Sequence, residues 1–298
     1  MSIEVIGART PEGIVLRPEY ERPVETKPDA KDVTRKLSTW EHIIGNEMVR
    51  KAAVVALVLI AWQLYTDLAD VQPLVFPSVV DTLKALFASM MDGELFLRVW
   101  GSLKVLLAGY AIGMGLAALL TVFAVSSRFG SDVLSTLTAM FNPLPAIALL
   151  PLSMLWFGLG SPSLIFVMVH SVLWAVALNT HSGFRSVSET QRMVGRNYGL
   201  KGVRLVAKVL IPAAFASILT GMKIGWAFAW RTLIAAELVF GANQGGGGLG
   251  WYIFENSQNL NTDRVFAGLL TVMLIGVLVE SGFRAIEKRT VQRWGMQR

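Results

Sequence analysis

The chain has 298 residues, of which 53% are hydrophobic and 16% charged, and its mean hydropathy of +0.53 lies outside the range of ordinary soluble domains. It has no cysteine, which excludes disulfides and thiolate metal sites but identifies no compartment. The formal charge of +6 could serve nucleic-acid binding, yet the cations gather beside apolar runs, where they act as signals of membrane topology.

Residues 1 to about 45 carry Pro11, Pro18, Pro23 and Pro28 among many charges. Such a segment buries too little apolar surface to fold alone, and a largely disordered tail is expected. It is too long and polar for a secretory n-region. No A-x-A-like site follows the first apolar run, so that run is expected to stay as an anchor.

Six apolar spans follow, each near or above the ~20 residues that cross a bilayer core. They run over about 50–68, 102–125, 132–157, 162–180, 213–240 and 264–284. Short alternating strands are absent, so an all-α polytopic membrane protein is predicted rather than a barrel. In the second span, Gly109 and Gly113 form a GxxxG spacing that lets helix backbones approach closely. The third contains Pro143, Pro145 and Pro151, each deleting a backbone donor and favouring a kink or break. Irregular backbone at that depth belongs inside protein or beside a water-filled path.

Lysine and arginine are distributed unevenly. The tail to Lys51 has nine, the next loop on that side has Arg128, residues 181–212 have six, and the segment from Arg284 has five. Against these 21, the opposite loops hold only Lys84, Arg98 and Arg264. The positive-inside rule predicts cytoplasmic termini and a cytoplasmic loop between the fourth and fifth spans.

That loop, MVGRNYGLKGVRLVAKVLIP from Met193 to Pro212, alternates Arg192, Arg196, Lys201, Arg204 and Lys208 with Val194, Leu200, Val203, Leu205 and Val206. The pattern suits short amphipathic helices. Composition alone favours a basic loop held near anionic headgroups. The register favours something more specific: Gly199 can end one helix in a left-handed conformation, and Pro212 can begin the next where its missing N–H costs little. A helix, a glycine turn and a second helix make a compact projection that can dock in a groove.

Lys223 and Arg231 lie within the fifth span, where a central cation costs about 2.5 to 3.5 kcal/mol on insertion scales. One reading has Arg231 guiding an anionic solute. The other has Lys223 snorkelling and Arg231 paired with Glu237 or a neighbouring subunit. Trp156, Trp174, Trp226 and Trp230 could stack on an aromatic solute, but packing or interfacial anchoring is the commoner use of tryptophan. The glycines from Gly245 to Gly248 lack a preceding strand, so a gate or a partner contact is expected rather than a phosphate cradle. His42, His170 and His181 have no metal-ligand spacing, and no GxSxG or HExxH run points to hydrolysis.

The Met193 to Pro212 spacing resembles the EAA loop of ATP-binding-cassette import permeases. Met193, Val194 and Gly195 fall at the loop's opening triplet, Gly199 at its glycine, and Val209 to Pro212 at its aliphatic-x-aliphatic-Pro ending. The family commonly starts with glutamate where this chain has Met193, and Glu189, one turn earlier, could take a related electrostatic role. Further similarity narrows the likeness to the nitrate, sulfonate and taurine type. It is carried by VFPSVVDTLKALF after the first span, by Ser102 and Leu103, by PAIALLPLSMLWFGLG from Pro145, and by AWRTLIAAELVFGANQGGGGLGWYI from Ala229.

The resemblance covers about residues 50 to 290 and implies a type I importer permease fold of the MetI-like kind in a bacterial inner membrane. It implies a transmembrane domain over 46–290 with a coupling loop at 186–212, and a cytoplasmic end at 291–298. The ATPase-coupling residues would be Glu189, Arg192, Met193, Val194, Gly195, Arg196, Tyr198, Gly199, Leu200 and Pro212. A translocation path would draw on Pro145, Pro151, Trp156, Lys223, Trp230, Arg231 and Glu237. The implied partners are two cytoplasmic ATPases holding ATP and Mg, a solute-binding protein and a second permease copy. No cofactor is expected in this chain, which has no GxxxxGK[ST] run to cradle phosphates. An ion-coupled secondary transporter would need paired repeat halves and intramembrane acids, and a membrane enzyme would need a clustered catalytic set. Six spans with intramembrane charge scarce except in the fifth fit the first poorly, and no catalytic set is visible for the second.

Overall fold

The computed structural model describes residues 45–69, 71–240 and 247–292. The predicted tail up to residue 44, with His42, lies outside the described residues, as do Gly245, Gly246 and residues 293–298 of the C-terminal end. The chain divides into two compact units, Met1–Leu57 and Val58–Arg298. In the described part of the first, Lys51 pairs with Glu47 one helical turn before it at 2.5 Å, both well exposed.

The described residues are helical with no strand. The helices are α1 (Glu47–Leu68), α2 (Val79–Met91), α3 (Glu94–Ser126), α4 (Arg128–Phe141), α5 (Leu150–Phe157), α6 (Ser161–Ser186), α7 (Glu189–Asn197), α8 (Gly202–Leu205), α9 (Ile211–Ala213), α10 (Phe215–Phe240), α11 (Leu249–Gln258) and α12 (Thr262–Glu287). A 3-10 turn, Ala146–Leu149, precedes α5, and π turns lie at Val206–Leu210 and Lys288–Gln292.

Helices α1, α3, α6 and α12 are each long and apolar enough to cross a membrane. Two further pairs are bent: α4 with Ala146–Phe157 by 87°, and Gly202–Ala213 with α10 by 79°. Counting each bent pair once gives the six predicted spans. The third is broken, as its three prolines predicted. Pro143 and Pro145 supply no N–H to an α ladder, and Pro145 itself is extended, at φ −60° and ψ 118°. Helix resumes only where Pro151 occupies the first turn of α5, a position at which no donor is needed.

Two segments expected as outer loops also hold helices. Ser78 caps α2 by accepting the N–H of Asp81 at 3.1 Å, and Val79, Thr82, Leu86 and Ser89 line one buried stripe along it. Helix α11 buries Leu249, Tyr252, Ile253 and Asn256. The two are tied by Ser89 and Tyr252, whose hydroxyls meet at 2.8 Å. Nearby Arg98 pairs with Glu94 of its own helix and with Glu255 of α11, and Arg264 of α12 reaches Glu94.

Helix α6 is the centre of the bundle: 56% of its apolar window is buried, against 17% for α12. Its neighbours approach closely because small residues face it. A Cβ at Gly109 or Gly113 of α3 would lie 2.8 Å from Met168 or 2.7 Å from Val172, and one at Gly221 of α10 would lie 2.8 Å from Asn179. The predicted GxxxG therefore serves packing against α6 within the chain. Leu106, Val167, Met168, Val172, Ala177 and Leu233 form the middle of the resulting core.

Candidate functional site

The loop between α6 and α10 is built from local rules. Ser188 caps α7 by accepting from the Gln191 N–H, and Glu189 complements the positive end of the helix dipole in the first turn. Its carboxylate also lies 3.4 Å from Arg196, but both side chains are more than half exposed, so the pair adds little stability. At the other end Gly199 has φ +75°. Its N–H donates to the Arg196 carbonyl at 2.9 Å and the Leu200 N–H donates to the Gly195 carbonyl at 3.0 Å, the paired bonds of a Schellman stop.

Gly195 is constrained for a different reason. A Cβ there would lie 2.7 Å from Leu205 and 2.9 Å from Val209, so the glycine lets α7 fold flat against the returning chain. Arg192 donates to the carbonyls of Phe184 and Val187 and so anchors α7 to the C-terminal end of α6. Beneath the loop, Phe184, Val187, Val206, Leu210 and Ala214 bury one another, with Val125 of α3 and Ile218 of α10 packed alongside. The loop is therefore packed directly against three spans. Met193, Val194, Tyr198 and Val203 stay exposed on the loop, Tyr198 at 82%, while Leu200 is half-buried.

The second helical stretch does not begin at Pro212 as expected. It begins at Gly202, and Pro212 lies in the short helix α9 after the π turn. The Ile211 N–H reaches back to the Val206 carbonyl, a wider turn that makes room for a proline ring which would otherwise press on the carbonyl four residues earlier.

In the spans, Pro145 lies at the rim of a cavity of about 190 Å³ at the α4–α5 break, lined also by Asn142, His170, Ser171, Trp174 and Phe228. Farther along, Ser163 ties the start of α6 to α5 by donating to the carbonyls of Gly158 and Ser153 at 2.6 and 3.0 Å. Trp156 is 57% exposed and packs edge-on to Phe166 at 5.7 Å. Trp230 is buried, and Trp226 sits edge-on to Tyr110 at 5.2 Å.

The three charged residues of α10 have separate surroundings. Lys223 pairs with Glu280 of α12 at 2.6 Å. Arg231 is exposed; its Nε donates to the Ala227 carbonyl at 3.1 Å and its guanidinium lies 5.3 Å from the Phe228 ring centre. Glu237, by contrast, is only 5% exposed. Its carboxylate accepts the Ser102 hydroxyl at 2.8 Å and the Gly250 N–H at 2.8 Å, and Leu249 donates its N–H to the Ser102 oxygen at 2.8 Å. The pairing of Arg231 with Glu237 considered from sequence is not formed; the carboxylate instead holds the start of α11. Gly248 and Gly250 border it because a Cβ at either would fall within 2.6 Å of Glu237 atoms.

Glu280, Ser102 as a donor, and Arg192 as an anchor carry roles that sequence reasoning missed. Only an acid deep in an apolar run, Glu280, left a readable signal. Among the described residues no group of three or more His, Asp or Glu side chains is placed to hold a metal ion.

The sequence model of the family described as binding-protein-dependent transport system inner membrane component matches residues 109–292. The chain is 28% identical to the taurine transport system permease protein of Escherichia coli, over 84% of this chain and 91% of that protein. It is 25% identical to the nitrate import permease protein of Synechocystis, over 86% of this chain and 94% of that protein. The matched region takes in the broken third span, the glycine-stopped loop and the buried Glu237.

Proposed function

Because the chain belongs to the binding-protein-dependent transport system inner membrane component family, and is thus a multi-pass permease subunit of an ABC importer, we propose that it carries a small oxoanion or sulfonate inward. The taurine and nitrate permeases among its relatives support that solute class, as does Arg231 standing exposed on α10 without an acid beside it in the described residues. The family works with ATPases and binding proteins in general. For this chain the proposed assembly has two copies lining one path, two cytoplasmic ATPases below and a solute-binding protein above, with both termini and the α7–α9 loop on the cytoplasmic side. ATP and Mg would be held by the ATPases, and this chain would do no hydrolysis itself.

The observation that carries the coupling reading is the construction of the loop. Its apolar tip of Met193, Val194 and Tyr198 is exposed, while Arg192 and the Phe184 cluster tie its root to α3, α6 and α10. When the ATPases close on ATP, the tips move together and the spans follow, opening the far side; hydrolysis resets them. Glu189, Arg196, Gly199, Leu200 and Pro212 shape or flank that lever. Pro145, Pro151, Trp156, Lys223, Trp230 and Arg231 belong to the spans that move, and Glu237 latches the start of α11.

The test is uptake by cells carrying the whole transporter. Replacing Arg231 with methionine should lower uptake of nitrate or an alkanesulfonate and leave the complex assembled. Unchanged uptake kinetics would remove Arg231 from the path. Transport by this chain alone in a proton gradient would overturn the ATP-driven reading.

A further inference from the structure

Helices α10 and α12 each have 26 residues, about 39 Å at 1.5 Å per residue, which outruns a hydrocarbon core of about 30 Å and carries their ends into the headgroup layer. Where the start of α10 meets the end of α12 lies a cavity of about 210 Å³, lined by Leu219, Thr220, Lys223 and Ile224 on one side and by Phe283 and Glu287 on the other. Most of that lining is apolar. Its charges are one cation and one acid.

The ammonium of Lys223 is 2.6 Å from Glu280, and both side chains keep over a third of their surface exposed, so the pair is not sealed. An ammonium carries three donors, of which this pair takes one. Glu287, in the last turn of α12, lies two turns beyond Glu280 on the same face, and its carboxylate has no ion-pair partner among the described residues. Thr220 turns its hydroxyl back to the Ala216 carbonyl at 2.9 Å, which leaves Lys223 and Glu287 as the groups able to hold a ligand. Toward the bilayer middle, the stripe of α12 that carries Glu287, Phe283 and Glu280 continues at helical spacing through Gly276 and Met273. A Cβ at Gly276 would meet nothing within 4 Å and Met273 is 56% exposed, so an open apolar track leads out of the cavity.

We propose that this cavity seats the head of one phospholipid bearing a primary ammonium, with its phosphate on Lys223, its ammonium on Glu287 and an acyl chain along Gly276 and Met273. The volume is about seven times a water molecule's share of the liquid, room for a phosphate and a short amino-alcohol. A lipid fits better than a free zwitterion because the two charges open onto an apolar track. A head with a phosphate and no ammonium would bring negative charge toward Glu287 uncompensated, and a choline head has no N–H to give the carboxylate. Arg284 and Lys288 are exposed and outside the lining, so they leave its balance of one cation and one acid unchanged. Ile218, on another face of the same stretch of α10, belongs to the packing beneath the α7–α9 loop. The lipid would thus steady the part of α10 on which that loop is rooted.

The full-length chain, purified in detergent and stripped of lipid, is titrated with phosphatidylethanolamine, phosphatidylglycerol or phosphatidylcholine of matched acyl chains, and native mass spectrometry counts the lipids bound. One phosphatidylethanolamine is expected to bind about fivefold more tightly than either of the others, the size of one partly exposed ion pair. Glu287→Gln should remove that margin. Thr220→Phe, which puts bulk into the cavity from an exposed position, should weaken the same adduct and so place it there. Thermal midpoints of the lipid-free variants report whether either substitution disturbs the fold, and if one does, the other carries the test. Excess soluble glycerophosphoethanolamine separates the two sources of the same head: an adduct that persists supports a lipid, and one that is displaced overturns the lipid in favour of a free zwitterion. Equal affinity for the three lipids, or a preference for phosphatidylethanolamine that survives both substitutions, overturns the site.

Discussion

Ser102 donates its hydroxyl to the buried carboxylate of Glu237 at 2.8 Å, across 135 positions of sequence, and the same oxygen accepts the Leu249 N–H. One hydroxyl thus joins α3, α10 and the start of α11. Ser102→Ala should leave a buried backbone donor without its acceptor and a carboxylate with one donor fewer, a loss of about 1–3 kcal/mol. The expected outcome is a lower thermal midpoint of the purified chain and faster proteolysis near Leu249. An unchanged midpoint and cleavage pattern would count against the latch.

Gly250→Ala attacks the same junction sterically. The new methyl would lie 2.6 Å from both the Glu237 Cβ and the Ile234 carbonyl, contacts that backbone must relieve by moving. Destabilisation should equal or exceed that of Ser102→Ala. The double variant should be less than additive, since both substitutions loosen one contact. Full additivity in a thermal denaturation cycle would show the two to be independent.

The two glycines of the loop should respond differently to substitution. Gly199 has φ +75° and open space around it, so Gly199→Ala carries a conformational cost of about 1–2 kcal/mol, while Gly199→Asn, which visits the left-handed region more readily, should retain more uptake. Gly195 is crowded by Leu205 and Val209, and neither alanine nor asparagine should be accepted there. Hydrogen exchange across residues 189–213 would separate the cases: raised exchange in both Gly195 variants, and in Gly199→Ala more than in Gly199→Asn.

Arg192→Ala should release the carbonyls of Phe184 and Val187 without altering the exposed tip. Association with the ATPases should therefore survive while uptake falls, because the docked loop no longer pulls on α6. Co-purification together with transport measurement distinguishes this from a docking defect, in which both would be lost.

Glu280→Gln should leave Lys223 as an uncompensated cation in a span, and the swap Lys223→Glu with Glu280→Lys should restore much of the loss. Both side chains are over a third exposed, so a modest effect on stability is expected. Thermal midpoints of the wild type, Lys223→Glu, Glu280→Lys and the swap measure the coupling, and a swap no better than those single variants would reject a direct pair.

Much of this architecture is legible in local sequence. Run length and hydropathy give the six spans, the prolines mark the broken third, and Gly199 marks the end of α7, because each is decided within one or two helical turns. Pro212 shows the limit of such reasoning. Its neighbours form a π turn, which no residue type announces, so the helix start inferred from the proline falls ten residues after the observed start at Gly202. Pairings between spans are harder still. Nothing near Ser102 names Glu237 as its acceptor, and nothing near Lys223 names Glu280, since those distances exist only after the bundle has closed. Segments expected as outer loops became α2 and α11 because part-buried helices too short to span leave only a faint hydropathy signal.

The π turn at Val206–Leu210 also absorbs one residue that a regular helix would not hold. Deleting one residue there would let the chain close into regular α-helix and would bring the Pro212 ring against the carbonyl four residues earlier. The segment ahead of the fifth span thus keeps a spare residue where the proline needs the width, and a chain shortened there would have to kink or open ahead of α10 instead.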